Sequence, residues 1–381
     1  MSEAGALAIV GLGVTRQGVR SGVPERLLRR EALEAALDDA GLQRSEIDGY
    51  IACHGNTAFE DLRFLGLAPN FSWSLTSGGA TAISALVVAR GVIATGQARC
   101  VALNYGFAPS QMPGGVGGHS YGYPQLFGMF GPAASHALHA TRHMHLYGTT
   151  SEQLGAVAVQ QRSYASRRPG ALGFEKPFTL EDHQSSRMIA EPLRLLDCCR
   201  DTDGGVCVLV TSAERARDLD TQPRSVEILG LGTGHNIRNW NDKTVYAKHD
   251  DVEPAARRAF AEAGIGLEDV DVAELYDPFT ISVIMQLEHY GFCKAGEGGP
   301  FVASGATGPD GAIPTNTGGG QLSAWYATGF TPLAEAIWQL RGEAGATQIP
   351  DARVALVSGH GGNGGVQNTW AHATALLGST A

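Results

Sequence analysis

The sequence predicts an α/β protein made of two similar halves, and three observations lead to that fold class. Short apolar runs alternate with longer helical segments, which is the pattern of repeated βα units. The segment AGLQRSEID at 40–48 is matched by AGIGLEDVD at 263–271, and IVGLG at 9–13 is matched by ILGLG at 228–232. Because self-similarity at about half the chain length indicates duplication, we expect two βαβ-type halves related by a pseudo-twofold axis.

Composition is that of a globular protein and excludes several function classes. The chain has 381 residues, of which 43% are hydrophobic and 17% charged, so two domains are expected. A formal net charge of −10 argues against nucleic acid as the main partner. No segment has the length of a membrane span, and the six cysteines show no C-x-x-C spacing. We therefore expect a cytoplasmic protein with reduced thiols and no membrane association.

The elements of the first half follow from apolar periodicity and from the residues that end each run. In chain order we expect a strand at 6–14, a helix at 24–40, a strand at 48–52, a helix at 80–96 and a strand at 99–105. Gly41 ends the first helix in a position that suits a left-handed cap. The helix after Ser77-Gly78-Gly79 is apolar on most of its faces, which predicts that it is central and buried.

The βα pattern stops between residue 106 and about residue 201, which predicts an inserted loop domain. A glycine-rich stretch at 112–122 is followed by helices at 132–147 and 151–167. His136, His139 and His143 share one helix face, with His145 nearby, and could hold a metal. No acidic or cysteine partner lies among them and H-E-x-x-H is absent, so packing and hydrogen bonding are the favoured roles.

The second half begins after a strand at 201–212 and carries the main candidate site. The strand in DVAELYDPFT at 271–280 ends at Tyr276-Asp277, and Pro278 opens a helix to residue 291. A polar pair between a strand end and a helix start is where α/β folds place their chemistry, although a buried tyrosine paired with an aspartate is the structural alternative. In the register of the repeat, this pair takes the position of Cys53-His54.

The rest of the second half is expected to alternate loops and regular elements. The segments are an irregular glycine-rich loop at 294–313, NTGGGQLSAWY at 316–326, a helix to about residue 340, and strands at 353–358 and 366–376 around GHGGNGG. The domain prediction is therefore a first half at 1–215, with an insertion at about 107–200, and a second half at 216–381.

With these loops the chain resembles the thiolase superfamily, and in particular the thiolases related to sterol carrier protein x. The resemblance covers nearly the whole chain and includes HLYGTTSEQLGAVAV at 145–159 and DTDGG at 201–205. It implies the thiolase fold, a duplicated five-layered αβαβα architecture with an inserted loop domain, and a homodimer.

Comparison with the family's catalytic loops implies changed chemistry. The family's nucleophilic cysteine, two residues before a Ser/Thr-Gly, falls on Leu75, which cannot form an acyl-enzyme. Two further catalytic loops place tyrosines, Tyr276 and Tyr326, at proton-handling positions. This pattern resembles the thiolase-like aldolases of steroid side-chain degradation, which have catalytic tyrosines at these two positions.

The resemblance implies an acyl-CoA carbon–carbon lyase. Retro-aldol cleavage of a β-hydroxyacyl-CoA ester on a steroid would give a ketone and propionyl-CoA, with coenzyme A thioester as substrate and no cofactor in this chain. A partner of the DUF35 type, with a zinc ribbon and an OB-fold, would cap the homodimer as a heterotetramer. The alternatives are a thiolase of the sterol-carrier-protein-x class and a non-catalytic acyl-CoA or lipid-binding subunit.

The family resemblance and the chemistry of the residue types together predict roles for eight residues. Tyrosine can act as acid or base when its surroundings shift its pKa, and backbone N–H groups at a helix start can stabilise an enolate. His360 is expected to polarise the substrate or relay a proton. The predicted catalytic residues are Tyr276, Tyr326, His360 and Asp277, and the predicted substrate or oxyanion residues are Ser77, Gly78, Asn316 and Gly320.

Overall fold

The computed structural model describes residues 6–54, 57–112, 126–219, 224–235, 252–361 and 371–380. Its strands are β1 (Leu7–Val14), β2 (Gly49–Cys53), β3 (Phe71–Leu75), β4 (Cys100–Phe107), β5 (Met188–Ala190), β6 (Leu193–Arg194), β7 (Gly204–Ser212), β8 (Val226–His235), β9 (Val272–Glu274), β10 (Val354–Gly361) and β11 (Ala371–Ser379). Its α-helices are α1 (Glu25–Ala40), α2 (Ala58–Leu65), α3 (Thr81–Ala94), α4 (Gly131–Tyr147), α5 (Ser151–Ala165), α6 (Leu180–Ser185), α7 (Ala213–Arg217), α8 (Val252–Ala263), α9 (Thr280–Tyr290), α10 (Gly298–Ala303) and α11 (Phe330–Leu340).

The main strands form one hydrogen-bonded sheet that runs through both halves. Its order is β3-β2-β4-β7-β1-β8-β11-β10-β9, and the halves join where β1 pairs antiparallel with β8, Leu7 opposite Ile228. In the first half β2, β3 and β4 are parallel, and in the second half β9 and β10 are parallel. The expected boundary between residues 215 and 216 therefore separates two parts of one sheet, and the division into two domains stays a prediction.

Helices cover and separate the two parts of this sheet in five layers. Helix α1 packs against β1, β4 and β7 on one side, and α8 packs against β8 and β11 on the other. Helices α3 and α11 lie between the two parts, because α3 contacts both β4 and β10 and α11 contacts both β1 and β10. The expected αβαβα architecture is confirmed, and α3 is central and buried as its composition predicts.

The sequence repeat corresponds to repeated packing. A Cβ atom added at Gly13 would lie 2.0 Å from the carbonyl oxygen of Ala32 in α1, and one added at Gly232 would lie 1.9 Å from that of Ala255 in α8. The glycines let each helix approach its strand closely. Asp48 accepts hydrogen bonds from backbone N–H groups at the start of β4, and Asp271 does the same at the start of β10.

Most predicted elements are present with ends shifted by one to three residues, and Gly41 caps α1 with a φ of 62°. Two predictions were incomplete. The segment 294–313 is not wholly irregular, since it contains α10, and the sequence reading missed α2 and the edge strand β3. The glycine-rich segment 112–122 and the GHGGNGG loop lie largely outside the described residues.

The inserted region packs mainly onto the second half. Helix α5 contacts α9 and α10, and α4 contacts α9 and the small β5–β6 hairpin. The histidines of α4 make protein contacts: His143 hydrogen-bonds to Thr149 at 2.7 Å and to Glu288 at 3.1 Å, and His136 bonds to the carbonyl of Pro132. Within the described ranges no group of His, Cys, Asp and Glu has the arrangement of a metal site. These residues also include no helix that could span a membrane.

Candidate active site

Tyr276 follows the carboxyl end of β9 and is held by a closed set of hydrogen bonds. Its backbone N–H donates to Ser358 Oγ at 2.8 Å, and its carbonyl accepts from Gln286 Nε2 at 2.7 Å. The Ser358 hydroxyl in turn donates to Gln286 Oε1 at 2.6 Å. Because both backbone groups of Tyr276 are bound by buried side chains, the position of its ring is fixed before any substrate binds.

Tyr326 lies just before α11 and is held by a residue from the first half. Its backbone N–H donates to Thr202 Oγ1 at 2.9 Å, and the Thr202 hydroxyl donates to the Tyr326 carbonyl at 3.0 Å. Thr202 belongs to the DTDGG segment, which the sequence comparison singled out without giving it a role. Thr202 binds both backbone groups of Tyr326, although the two residues are 124 positions apart in the chain. The sequence does not show this contact.

The two tyrosine hydroxyls meet, with their oxygens 3.0 Å apart. Burial raises the pKa of both phenols above the ordinary value. Either hydroxyl can be the donor of the hydrogen bond between them. The structure therefore brings together the two residues that the sequence singled out, and both are protonated at neutral pH.

The start of α3 lies directly against the Tyr276 ring. A Cβ atom added at Gly79 would lie 2.2 Å from Cζ of Tyr276 and 2.4 Å from the His360 carbonyl oxygen. One added at Gly329, before α11, would lie 2.2 Å from the Gly79 carbonyl oxygen. The two central helices thus begin at one point, and glycine is needed there because any side chain would displace the tyrosine ring or the backbone.

Asp277, Asn316 and Gly320 pack together, since a Cβ atom added at Gly320 would lie 2.1 Å from Asp277 Oδ2 and 2.8 Å from Asn316 Nδ2. The Asp277 carboxylate accepts from the N–H groups of Gln321 and Leu322, at 2.9 and 3.2 Å, in a short π-helical turn. The Asn316 side chain accepts from the Leu275 N–H at 2.7 Å and donates to the Leu275 carbonyl at 3.0 Å. These contacts favour positioning roles for Asp277 and Asn316, while the catalytic role predicted for Asp277 and the substrate or oxyanion roles predicted for Asn316 and Gly320 stay untested.

Ser77 and Gly78 occupy the corner before α3, as the oxyanion prediction requires, but one of their N–H groups is already used. The Ser77 N–H donates to Thr81 Oγ1 at 2.9 Å. The prediction for this corner therefore rests on Gly78, which has a φ of 56°. Leu75, at the position of the family's nucleophile, ends β3 and packs against the hydrophobic core.

Cys199 is the cysteine that the fold brings towards the two tyrosines. Its N–H donates to the Pro278 carbonyl at 2.8 Å, and its thiol interacts electrostatically with both phenols. Burial raises the pKa of Cys199 well above its ordinary value, so it is a neutral thiol and a weak nucleophile. Sequence reasoning did not find this residue, because position in the chain gave no sign of its proximity.

His360 lies at the end of β10 with its carbonyl near the Tyr276 ring and its imidazole in a chain of polar side chains. Its Nδ1 is 2.9 Å from Nδ1 of His372, whose Nε2 is 2.7 Å from the Tyr290 hydroxyl. Burial holds the pKa of His360 well below its usual range and lowers that of His372 to about 3. Both imidazoles are therefore neutral, and a proton-relay role for His360 stays a prediction.

The arrangement as a whole favours proton transfer over nucleophilic attack. Two neutral, hydrogen-bonded phenols can pass a proton between two atoms of one substrate, and neither of them forms a covalent intermediate. The residues around them fix their positions with hydrogen bonds to their backbone groups.

Comparison with known proteins gives similar sequences and a similar structure. Residues 232–378 match the family model described as thiolase C-terminal domain-like. The chain is 38% identical to "17-hydroxy-3-oxo-4-pregnene-20-carboxyl-CoA lyase" of Mycobacterium tuberculosis, over 89% of this chain and 92% of that protein. It is also 38% identical to "steroid side-chain-cleaving aldolase" of Thermomonospora curvata, over 89% of this chain and 91% of that one. The solved structure named "Ltp2-ChsH2(DUF35) aldolase" superposes with a TM-score of 0.89 at 34% identity, covering 99% of this chain and 98% of that chain.

Proposed function

The chain belongs to the thiolase superfamily, among its steroid side-chain-cleaving aldolases, and on that premise we propose how its own residues carry out the reaction. The enzyme is a carbon–carbon lyase of the aldolase type. Its substrate is a coenzyme A thioester whose β-carbon is a tertiary alcohol on the D ring of a steroid. Cleavage gives the ring ketone and propionyl-CoA.

The two tyrosines act as one proton relay. Tyr276 accepts the proton of the β-hydroxyl group while its own proton passes to Tyr326. The bond between the α- and β-carbons breaks, the β-carbon becomes the ketone, and the electron pair forms the thioester enolate. In the same concerted step Tyr326 releases its own proton to the α-carbon of the forming enolate, so neither phenol becomes doubly protonated, the net transfer is from hydroxyl to carbon and both phenols end protonated.

The contact between the two hydroxyl oxygens, 3.0 Å apart, is the observation that carries this proposal. A single buried tyrosine with a raised pKa would be a poor base at neutral pH, since the phenolate is costly in a low-dielectric site. A pair that exchanges protons directly avoids a free phenolate. In the relay Tyr276 donates to Tyr326, and either oxygen of this contact can be the donor.

Two measurements test the reaction type. The purified enzyme should cleave a tertiary β-hydroxyacyl-CoA of a steroid and release propionyl-CoA. Intact-mass spectrometry during turnover, or with a 3-ketoacyl-CoA, should show no acyl adduct. A stable adduct on Cys199 or any other cysteine would restore the thiolase mechanism and overturn the proposal. Binding without cleavage would favour the non-catalytic alternative.

The proposal includes a homodimer formed through the edge strand β3. This strand has one free edge in the described sheet, and its Trp73 side chain is 56% exposed. Phe59, in the adjacent helix α2, is 76% exposed. An exposed edge with large apolar side chains is a ready surface for pairing with a second copy. Sedimentation at micromolar concentration should give a dimer, and Trp73→Glu should shift it towards monomer.

A partner of the DUF35 type is proposed to bind the inserted region. Exposed apolar side chains precede α4 there, with Leu126 at 77% and Phe127 at 86% exposure. Phe127→Glu should weaken co-purification with a co-expressed DUF35 protein while leaving the dimer intact, and Trp73→Glu is the matched control. Equal partner binding by both variants would place the partner elsewhere. A cytoplasmic location, zinc only in the partner and no cofactor in this chain complete the proposal.

A further inference from the structure

Two polar side chains near the tyrosine pair have no part in the relay. Tyr105 lies near the carboxyl end of β4, and His54 directly follows the adjacent parallel strand β2. The register pairs Cys53 with Tyr105, and the rings of His54 and Tyr105 have centroids 5.8 Å apart. In the register of the repeat, Cys53-His54 takes the position of Tyr276-Asp277, and Tyr105 lies on the neighbouring strand.

Both side chains bury a polar atom that has no hydrogen-bond partner among the residues that the structure describes. These atoms are the Tyr105 hydroxyl and His54 Nδ1, and Tyr105 is only 1% exposed. An unpaired buried polar group costs about 1–3 kcal/mol, so each one needs a structural or functional explanation. His54 also has a φ of 67°, a left-handed conformation that is uncommon outside glycine and is found at binding sites.

Their surroundings place both groups at the reaction site. The Tyr105 ring lies against Phe330, with ring centroids 5.6 Å apart, and the Phe330 N–H donates to the carbonyl of Ala327, the residue after Tyr326. The Tyr105 phenol also interacts electrostatically with Tyr276. The His54 N–H donates to the Leu75 carbonyl at 3.0 Å, so His54 lies beside the position that carries the nucleophile in thiolases. Burial raises the pKa of Tyr105 and lowers that of His54 to about 4, so both groups are neutral at neutral pH. A neutral phenol in this setting is a hydrogen-bond donor.

We propose that Tyr105 is a third catalytic tyrosine, whose hydroxyl donates a hydrogen bond to the thioester oxygen of the substrate as that oxygen becomes the enolate oxygen. The inference rests on the proposed aldolase reaction and supplies the donor that the Ser77 N–H, bound to Thr81, does not. A preoriented donor in a dry site stabilises developing charge without the cost of reorganisation. His54 lies beside Tyr105 and adds a second neutral polar side chain there.

Tyr105→Phe tests the proposal, because it removes the hydroxyl and leaves the ring. Loss of one oxyanion donor lowers kcat by about 10²–10³. We expect that fall with KM little changed, and the same fall in the rate at which propionyl-CoA exchanges its α-proton with D₂O. The melting temperature should be unchanged or higher, since the buried hydroxyl has no partner to lose.

Tyr50→Phe is the matched control, because the Tyr50 hydroxyl in β2 donates to Asp61 at 2.9 Å and is buried and paired. That variant should lose stability and keep its turnover. His54→Asn tolerates the left-handed backbone and should lower kcat by less than Tyr105→Phe does.

The outcomes separate the inference from the function on which it rests. Wild-type turnover in Tyr105→Phe, or a fall in its melting temperature like that of Tyr50→Phe, would overturn the role of Tyr105 and leave the relay standing. A Tyr105→Phe variant that fails to fold would also contradict it, because the hydroxyl would then be structural. Wild-type enzyme that neither cleaves nor exchanges would overturn the proposed function and this inference with it.

Discussion

In each half the backbone forms the same corner before the central helix, α3 or α11, but the side chains at the two corners differ. Before α3, the Ser77 N–H donates to Thr81 Oγ1 at 2.9 Å; before α11, the Ala327 N–H donates to Thr331 Oγ1 at 2.9 Å. The next residue in each corner is left-handed, with φ 56° at Gly78 and 51° at Thr328. The backbone is therefore duplicated.

The side chains of the two corners are not duplicated. Tyr326 precedes the second corner, and the equivalent residue in the first is Thr76, after the apolar Leu75. Gly79 leaves room for the Tyr276 ring, whereas its equivalent Gly329 leaves room only for the first corner's backbone. The comparison teaches that the second half supplies the two tyrosines and the first half supplies the surface against which they are held.

The largest expected effect is loss of turnover on removing either hydroxyl. Tyr276→Phe and Tyr326→Phe keep the rings, and the loss of one proton carrier should lower the single-turnover rate by about 10²–10⁴. Because the relay acts as a unit, the double variant should be about as slow as either single one. Substrate affinity should change little in all three variants.

Tyr164→Phe is the control, since that hydroxyl donates to the Thr307 carbonyl away from the pair. It should cost about 1 kcal/mol of stability and no activity. Near-normal cleavage by Tyr276→Phe or Tyr326→Phe would show that the second half does not hold the proton carriers.

The next largest effect should distinguish alanine substitutions at the two corner glycines, Gly79 and Gly329. Gly79→Ala places a methyl group against the Tyr276 ring and the His360 carbonyl, so it should lower both stability and turnover. Gly329→Ala meets the Gly79 carbonyl and should lower stability by a similar amount, about 1–3 kcal/mol, with a smaller loss of turnover per folded molecule.

Gly91→Ala, with open space around it in α3, is the matched control and should be neutral or stabilising. Thermal melting with active-site-normalised rates would check the series. Equal loss of turnover in Gly79→Ala and Gly329→Ala would remove the functional difference between the corners.

The smallest expected effect is on the pH dependence of stability. It follows from a difference between the equivalent strands β2 and β9. Glu274 in β9 is buried at the position that the apolar Ile51 holds in β2. Burial and then the nearby Glu335 carboxyl raise the pKa of Glu274 above its unfolded value. The folded state therefore keeps a proton that the unfolded chain releases. The stabilisation that comes from this proton is fully present below the pKa of Glu274 in the unfolded chain. It is lost as the pH rises through the pKa of Glu274 in the folded state.

Glu274→Gln should reduce this fall, because the amide oxygen can still accept from the Thr317 N–H and hydroxyl. The free energy of unfolding, measured with denaturant at pH 5 and pH 8.5, should change by about 1–3 kcal/mol less in Glu274→Gln than in wild type. Glu31→Gln on the exposed side of α1 is the control. An unchanged slope in Glu274→Gln would mean that burial of this carboxyl does not set the pH dependence.

Much of the fold and the main tyrosines could be predicted from the sequence. The repeat at 40–48 and 263–271 predicted the duplication, since it records a turn that each half must make between its outer helix and its next strand. Leu75 excluded a cysteine nucleophile at that position, because a hydrocarbon side chain cannot be acylated. Tyr276 and Tyr326 were found because they fall in recognisable loops at strand and helix ends.

The tertiary structure alone decided which groups meet. Thr202 holds Tyr326 from another half of the chain, and Tyr105 and Cys199 come near the pair through packing of strands and loops distant in sequence. Asp277 stays a predicted catalytic residue and Asn316 a predicted substrate or oxyanion residue, and only the structure shows that their side chains bind the backbone N–H groups of Gln321 and Leu275. Local sequence determines periodicity, turns and residue chemistry. Which polar atoms find partners and which stay open for a substrate depends on long-range contacts, and that is why only the folded chain distinguishes Tyr105 from an ordinary core tyrosine.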